Sequence, residues 1–185
     1  MGLWILQECR RYWQERGSAY EYSELVRLAT ESDWESGLFD PDDELFYQPG
    51  PMPELIASYL EARGKKAPRE VGDVVRCVLL SLACKYRYVL ECIEYACGYE
   101  LPAVHIVGGG SSNTLLNQLT ANITGKPVYA GPSEATALGN AMVQFIALGE
   151  FASLDEARSA AIESVDLAEF LPDRADKWND MYHTY

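Results

Sequence analysis

A chain of 185 residues, 48% of them hydrophobic, is long enough for one domain with a real core and should fold rather than stay disordered. Its formal charge of −13 keeps such a chain soluble, repels nucleic-acid backbones and anionic lipid headgroups, and requires any phosphate ligand to be held by local backbone donors rather than a basic field. No apolar run approaches the roughly 20 residues of a membrane span, the N-terminus lacks the basic region and cleavage site of a signal peptide, and five cysteines without a CxxC pair argue against a disulfide framework or zinc site.

The first segment, Gly2 to Arg16, places Leu3, Ile5, Leu6, Cys9 and Trp13 on one side and charges on the other, which predicts an amphipathic helix ended near Gly17. Ser23 is expected to cap a short helix with Leu25, Val26 and Leu28 on one face. From Asp33 to Gly50 the pattern lacks periodicity, and FDPDDELFYQPGP reads as a structured loop or a short strand at Leu45 to Tyr47. Pro53 suits the first turn of a helix running to about Arg63 and closed by Gly64. The longest helical pattern, Glu70 to Ala96, sets Val71, Val74, Val75, Val78, Leu82, Val89 and Ile93 at a 3.6-residue period. It predicts the central packing element, with Cys77 and Cys84 as small buried side chains. Reduced thiols fit a cytoplasmic protein.

At Leu101 the character changes. AVHIV reads as a buried strand, GGG and SSN follow, and Thr114 to Ile123 reads as a helix. After Gly125, PVYA predicts a second strand. GPSEATALGNAMVQFIALGE predicts a turn and an apolar helix, opened near Glu134, where a cap or dipole role is expected. Ser153 with Glu156 three positions on predicts the capping box of a last helix, and Phe170 to Tyr185 is an aromatic, polar tail.

The strand-glycine-helix segment carries the chemistry. Gly108, Gly109 and Gly110 lack Cβ atoms, so another molecule can come close to the backbone. The next helix begins with free N–H groups and a partial positive charge, a seat for a phosphate or for the ribose and phosphate of a nucleotide. Asn113 stands at the helix start, where its amide can cap the helix or face a ligand. The turn is neither a Walker A loop, since no GK[ST] follows, nor a GxGxxG fingerprint, and taken alone it is equally a tight structural connection.

HIVGGGSSNTLLNQLTANITGKPVYAGPSEATALGNAMVQ resembles the C-terminal signature of the FGGY carbohydrate kinases, most nearly their rhamnulokinase branch. The resemblance also takes in MGLWILQ and FDPDDELFYQPGPMPELI, nearly the whole chain. It implies a helix-rich α/β fold, residues 1–185 being part of the C-terminal ribonuclease-H-like lobe of an actin-like ATPase without its opening strands. It implies phosphoryl transfer from MgATP to a ketose such as L-rhamnulose, with ATP or ADP and Mg²⁺ as cofactors. By the same resemblance Gln7, Gly108, Gly109, Gly110 and Asn113 contact the nucleotide, with Gly2 near the same cleft.

The family's catalytic aspartate lies in a His-Asp-Thr segment, and no such segment occurs here. We therefore expect no catalytic residue and no metal ligand within the chain, and no turnover from it alone. Asp40, Asp42, Asp43 and Glu44 read as a solvated turn rather than a metal site, and His105 as a packing residue in its strand. Absent strands beside AVHIV and PVYA would leave a sheet edge and apolar helix faces to be covered by dimerisation or by a rearranged, more helical packing. Other readings are a kinase for fuculose or xylulose, a non-catalytic interaction domain, or a sugar-kinase-like repressor, the last disfavoured by the acidic charge and the lack of a DNA-binding helix pair.

Overall fold

The computed structural model describes residues 2–185. Helix α1 spans Trp4–Glu15, α2 Tyr22–Glu31, α3 Met52–Glu61 and α4 Val71–Cys97. Strand β1 (Val104–Ile106) leads through a 3-10 turn, Gly108–Ser112, into α5 (Thr114–Thr124). Strand β2 (Val128–Ala130), α6 (Ala135–Leu148), α7 (Leu154–Glu163), β3 (Ala168–Phe170) and α8 (Ala175–His183) complete the order.

Helix α4 is the axis of the core, packed between α2 and α5. Its first half buries Val74, Val75, Val78, Leu79, Leu80 and Leu82, and the expected small thiols Cys77 and Cys84 are buried among them. Close approach to α2 requires Gly72, where an added Cβ would stand 2.6 Å from the Leu28 carbonyl oxygen. The second half of α4 departs from expectation: Val89 and Ile93 keep the helical period but are 43% and 42% exposed.

The aperiodic stretch after α2 is held by burial and by polar ties rather than by repeating structure. Trp34, Leu38, Phe39 and Phe46 enter the core, and Phe39 and Phe46 meet with ring centroids 4.8 Å apart. The backbone is tied down by Arg76 Nε donating to the Trp34 carbonyl (2.9 Å) and by Phe39 N–H donating to Ser81 Oγ (3.2 Å). That second bond explains a serine with no exposed surface in the middle of an apolar helix face. Leu45 to Tyr47 forms no strand: Glu44–Phe46 is a 3-10 turn, capped by Asp43 accepting from Leu45 N–H. Asp40 and Asp42 clasp Lys85 of α4 at 2.9 and 3.2 Å, so the acidic cluster anchors the loop.

The sheet has the order β1-β2-β3, with β1 parallel and β3 antiparallel to β2. β2 is therefore interior, not an open edge as expected, because the tail contributes β3 in register Val128↔Phe170. The tail also forms α8, which sends Trp178 and Met181 into the core. β1 remains at one edge. His105 projects from it into solvent with its ring 5.3 Å from that of Tyr129, rather than into the core.

Two helix starts differ from expectation. Helix α2 begins at Tyr22 behind Glu21, so Ser23 lies inside the first turn and caps nothing, and Glu134 precedes α6 without a side-chain cap bond. Ser153 does cap α7, accepting from Glu156 N–H, while the Glu156 carboxylate returns to the Ala152 N–H at 2.7 Å. Helix α6 buries none of its residues, and Val143, Phe145 and Leu148 are 60%, 45% and 76% exposed.

Candidate functional site

The glycine turn is fixed by the strand before it and the helix after it. Gly108 N–H donates to the Pro132 carbonyl at 3.0 Å, and Gly131 N–H donates to the Ile106 carbonyl at 2.8 Å, so the turn continues the β1–β2 pairing. On the helix side, Asn113 Oδ1 accepts from Leu116 N–H at 3.0 Å and caps α5. Ser111 Oγ donates to the Gly108 carbonyl at 2.7 Å and closes the turn on itself.

The three glycines are not equivalent. Gly108 has φ +74°, a left-handed conformation that disfavours a side chain. Gly109 has no such requirement, and a Cβ built there meets no atom within 4 Å. Gly110 would place a Cβ in ordinary contact, 3.8 Å from Ile106 and Leu3. The fold thus demands glycine at 108 but not at 109, where its effect is to leave open space above the backbone. A 3-10 turn bonds each N–H three residues back, so its first N–H groups have no acceptor inside the turn. Gly108 uses its own on Pro132, and none of the bonds tying the turn to other elements employs that of Gly109.

That open space belongs to a cleft of about 810 Å³. Gly109, Gly110, Ser112, Asn113 and Thr114 form one wall, Leu3 at the N-cap of α1 with Leu6 and Gln7 of that helix a second, and Tyr22, Ser23 and Val26 of α2 a third. Four of the five residues expected from sequence, Gln7, Gly109, Gly110 and Asn113, therefore line a single cleft. Gly108 does not line it and supports the turn from behind. Gly2 is not in the lining either, and its neighbour Leu3 is.

None of the eleven lining side chains carries a charge, on a chain whose net charge is −13. The N-terminal ends of α1 and α5 both open here, and neither first turn holds an acidic residue. The site therefore offers helix-end N–H groups and partial positive charge to an anion without an opposing carboxylate. Gln7 is exposed, with no partner for its side-chain amide among the described residues, and Asn113 keeps its NH₂ unengaged once Oδ1 has capped α5. Leu3, Leu6 and Val26 add apolar surface to the same cleft.

The α2 wall was not legible in the sequence. Val26 looked like a core residue and Ser23 like a cap, and no local pattern marks either as facing a glycine turn so distant along the chain. Among the described residues no group of three or more His, Cys, Asp or Glu side chains is arranged to hold a metal ion, and no helix is long and apolar enough to cross a membrane.

Residues 1–148 match the model of the FGGY family of carbohydrate kinases, C-terminal domain. A rhamnulokinase from Bacteroides thetaiotaomicron is 38% identical over 181 residues, 98% of this chain and 36% of that protein. One from Halalkalibacterium halodurans is 39% identical over 171 residues, 92% of this chain and 36% of that protein. The chain thus spans about a third of the length of the curated relatives it matches. Among solved structures, Plasmodium falciparum glycerol kinase with ADP superposes with a TM-score of 0.64 at 18% identity, covering 94% of this chain and 35% of that one.

Proposed function

Because the chain belongs to the FGGY family of carbohydrate kinases, matching its C-terminal domain, we propose that it is the nucleotide-binding part of an ATP-dependent ketose kinase of the rhamnulokinase type, forming L-rhamnulose 1-phosphate from L-rhamnulose. The observation that carries this reading is the uncharged cleft in which Gly109 leaves its N–H and the space above it open. The residues fit a nucleotide. Leu3, Leu6 and Val26 offer an apolar surface for a flat base, and the Gly109 N–H and the end of α5 offer donors for ribose and phosphate oxygens. Gln7 and Asn113 add side-chain amides on two sides, and the rigid turn holds these donors in fixed directions. ATP supplies the transferable phosphoryl group, accompanied by Mg²⁺, to which we assign no ligand in this chain.

Transfer further needs a positioned hydroxyl and a carboxylate to take its proton. The chain contains no His-Asp-Thr segment, and Asp40 and Asp42 are occupied with Lys85. The 185-residue chain by itself is expected to bind ADP or ATP only weakly and not to turn over. Mixing it with MgATP and L-rhamnulose and following ADP release tests this, and sustained turnover would refute it. A panel of ketoses offered to an enzyme that includes this chain separates L-rhamnulose from fuculose and xylulose, and the identity to rhamnulokinases favours the first. Five free thiols support a cytoplasmic location.

The bare face of α6 and the open edge of β1 support association. Alone in solution, the chain is proposed to cover them with a second copy.

A further inference from the structure

Five polar side chains occupy buried or half-buried places on α5, and four have their hydrogen bonds accounted for, Thr124 Oγ1 donating to the Thr120 carbonyl at 2.7 Å. Thr120 Oγ1 donates to the Leu116 carbonyl at 2.7 Å, Asn122 Oδ1 accepts from Asp173 N–H at 2.9 Å, and Gln118 donates to Asn122 and to the Leu171 carbonyl. Asn117 is different. It has no exposed surface, and its Oδ1 has no hydrogen-bond partner among the described residues. An unpaired amide oxygen in an apolar setting is unfavourable, and a leucine has the same branched outline without that penalty. What the amide accomplishes lies at its other end: Asn117 Nδ2 donates to the Ser111 carbonyl at 2.8 Å.

We propose that Asn117 is a positioning residue for the nucleotide site, holding the glycine turn in the orientation that presents the Gly109 backbone to the cleft. The inference rests on the nucleotide reading above. Ser111 is held from both directions, since its carbonyl accepts from Asn117 while its hydroxyl donates to the Gly108 carbonyl. Asn113 and Asn117 stand one helical turn apart on the same face of α5, and Asn117 N–H donates to the Asn113 carbonyl at 3.0 Å. Through Asn117 the turn is fastened to the part of α5 that packs on α4, and its order derives from the core rather than from the exposed residues around it. A turn fixed before the ligand arrives loses less freedom on binding.

The test uses Asn117→Leu, with Thr120→Val as a control that alters an equally buried polar group with no bond to the turn. ADP affinity by calorimetry, thermal midpoint and amide hydrogen exchange of residues 108–113 are measured for each. Asn117→Leu should keep or raise the thermal midpoint, weaken ADP about three- to tenfold, and speed exchange in the turn. Thr120→Val should leave affinity and turn exchange unchanged. A merely structural role predicts the opposite split, a lower midpoint with ADP affinity intact, and that result overturns the proposal. If Asn117→Leu unfolds, Asn117→Asp, which keeps the outline but presents an oxygen to the Ser111 carbonyl, must show the affinity and exchange changes. Failure of the unaltered chain to bind ADP overturns the nucleotide reading and this inference together. Binding by the unaltered chain with unchanged affinity and exchange in the variants overturns the positioning role alone.

Discussion

Replacing Gly109 by valine separates the two things a glycine can do. A Cβ at this position meets no atom within 4 Å, and its φ lies outside the left-handed region, so a side chain there does not strain the turn. Loss of glycine flexibility from the unfolded chain contributes about 0.4–1 kcal/mol in favour of the variant, set against the weak turn preference of a β-branched residue. The net change in stability should stay within about 1 kcal/mol. Binding should respond far more. The new side chain fills the space above the Gly109 N–H, and one hydrogen bond to a charged phosphate is worth about 1.5–3 kcal/mol, which corresponds to a roughly 10- to 100-fold rise in the ADP dissociation constant. Urea unfolding gives the first quantity and isothermal titration with ADP the second. Gly108→Ala is the internal contrast: forced to φ +74°, it should lose about 1–2 kcal/mol of stability. An unchanged ADP affinity in a well-folded Gly109→Val, or a stability loss as large as that of Gly108→Ala, would refute the reasoning.

Gly72→Ala should destabilise by about 1–3 kcal/mol in urea unfolding, because its methyl would stand 2.6 Å from the Leu28 carbonyl oxygen, and a neutral result would show that α2 and α4 can separate freely. Burial pushes the Cys77 and Cys84 thiols from 9.0 up to about 12, and Cys9 further still. Their folded-state values are raised, so their contribution is complete below pH 9.0 and is lost as pH rises from there toward 12, at up to about 1.4 kcal/mol per pH unit for each thiol. The urea midpoint should therefore fall between pH 8 and pH 10.5, and an aromatic disulfide reagent should react promptly with Cys92 and Cys97 while Cys9, Cys77 and Cys84 lag. A flat pH profile or five equal rates would contradict this. Replacing Phe145 and Leu148 on α6 by serine should shift the chain toward monomer in light scattering without a loss of helix content, and an unchanged mass would count against a second copy on that face.

Much of the helical framework was legible because periodicity and caps report on contacts each helix must make. The N-terminal part of α4 behaves that way, since every apolar residue at its helical period finds a partner there. The same period runs on to Val89 and Ile93, where it misleads, because a pattern records what a face could bury and not whether anything lies against it. Strand β3 and helix α8 escaped notice for the opposite reason. Three residues of Ala168–Phe170 carry no measurable alternation, and the pairing with β2 is supplied by the fold. At the site, Gly109 and Asn113 could be singled out because a strand, a run of glycines and a helix start sit together in sequence. Tyr22, Ser23 and Val26 could not, since their relation to the turn is tertiary. Asn117 was hidden in an ordinary helix interior, and only its burial and its bond to Ser111 distinguish it.

The most direct test is a backbone amide spectrum of the isotopically labelled chain recorded during titration with ADP. Saturable shifts should centre on Gly109 and Gly110, extend to the side-chain amides of Gln7 and Asn113, and leave α6 and α8 unmoved. Saturable shifts confined to another surface, or none at ADP in large excess, would contradict a nucleotide site at this cleft.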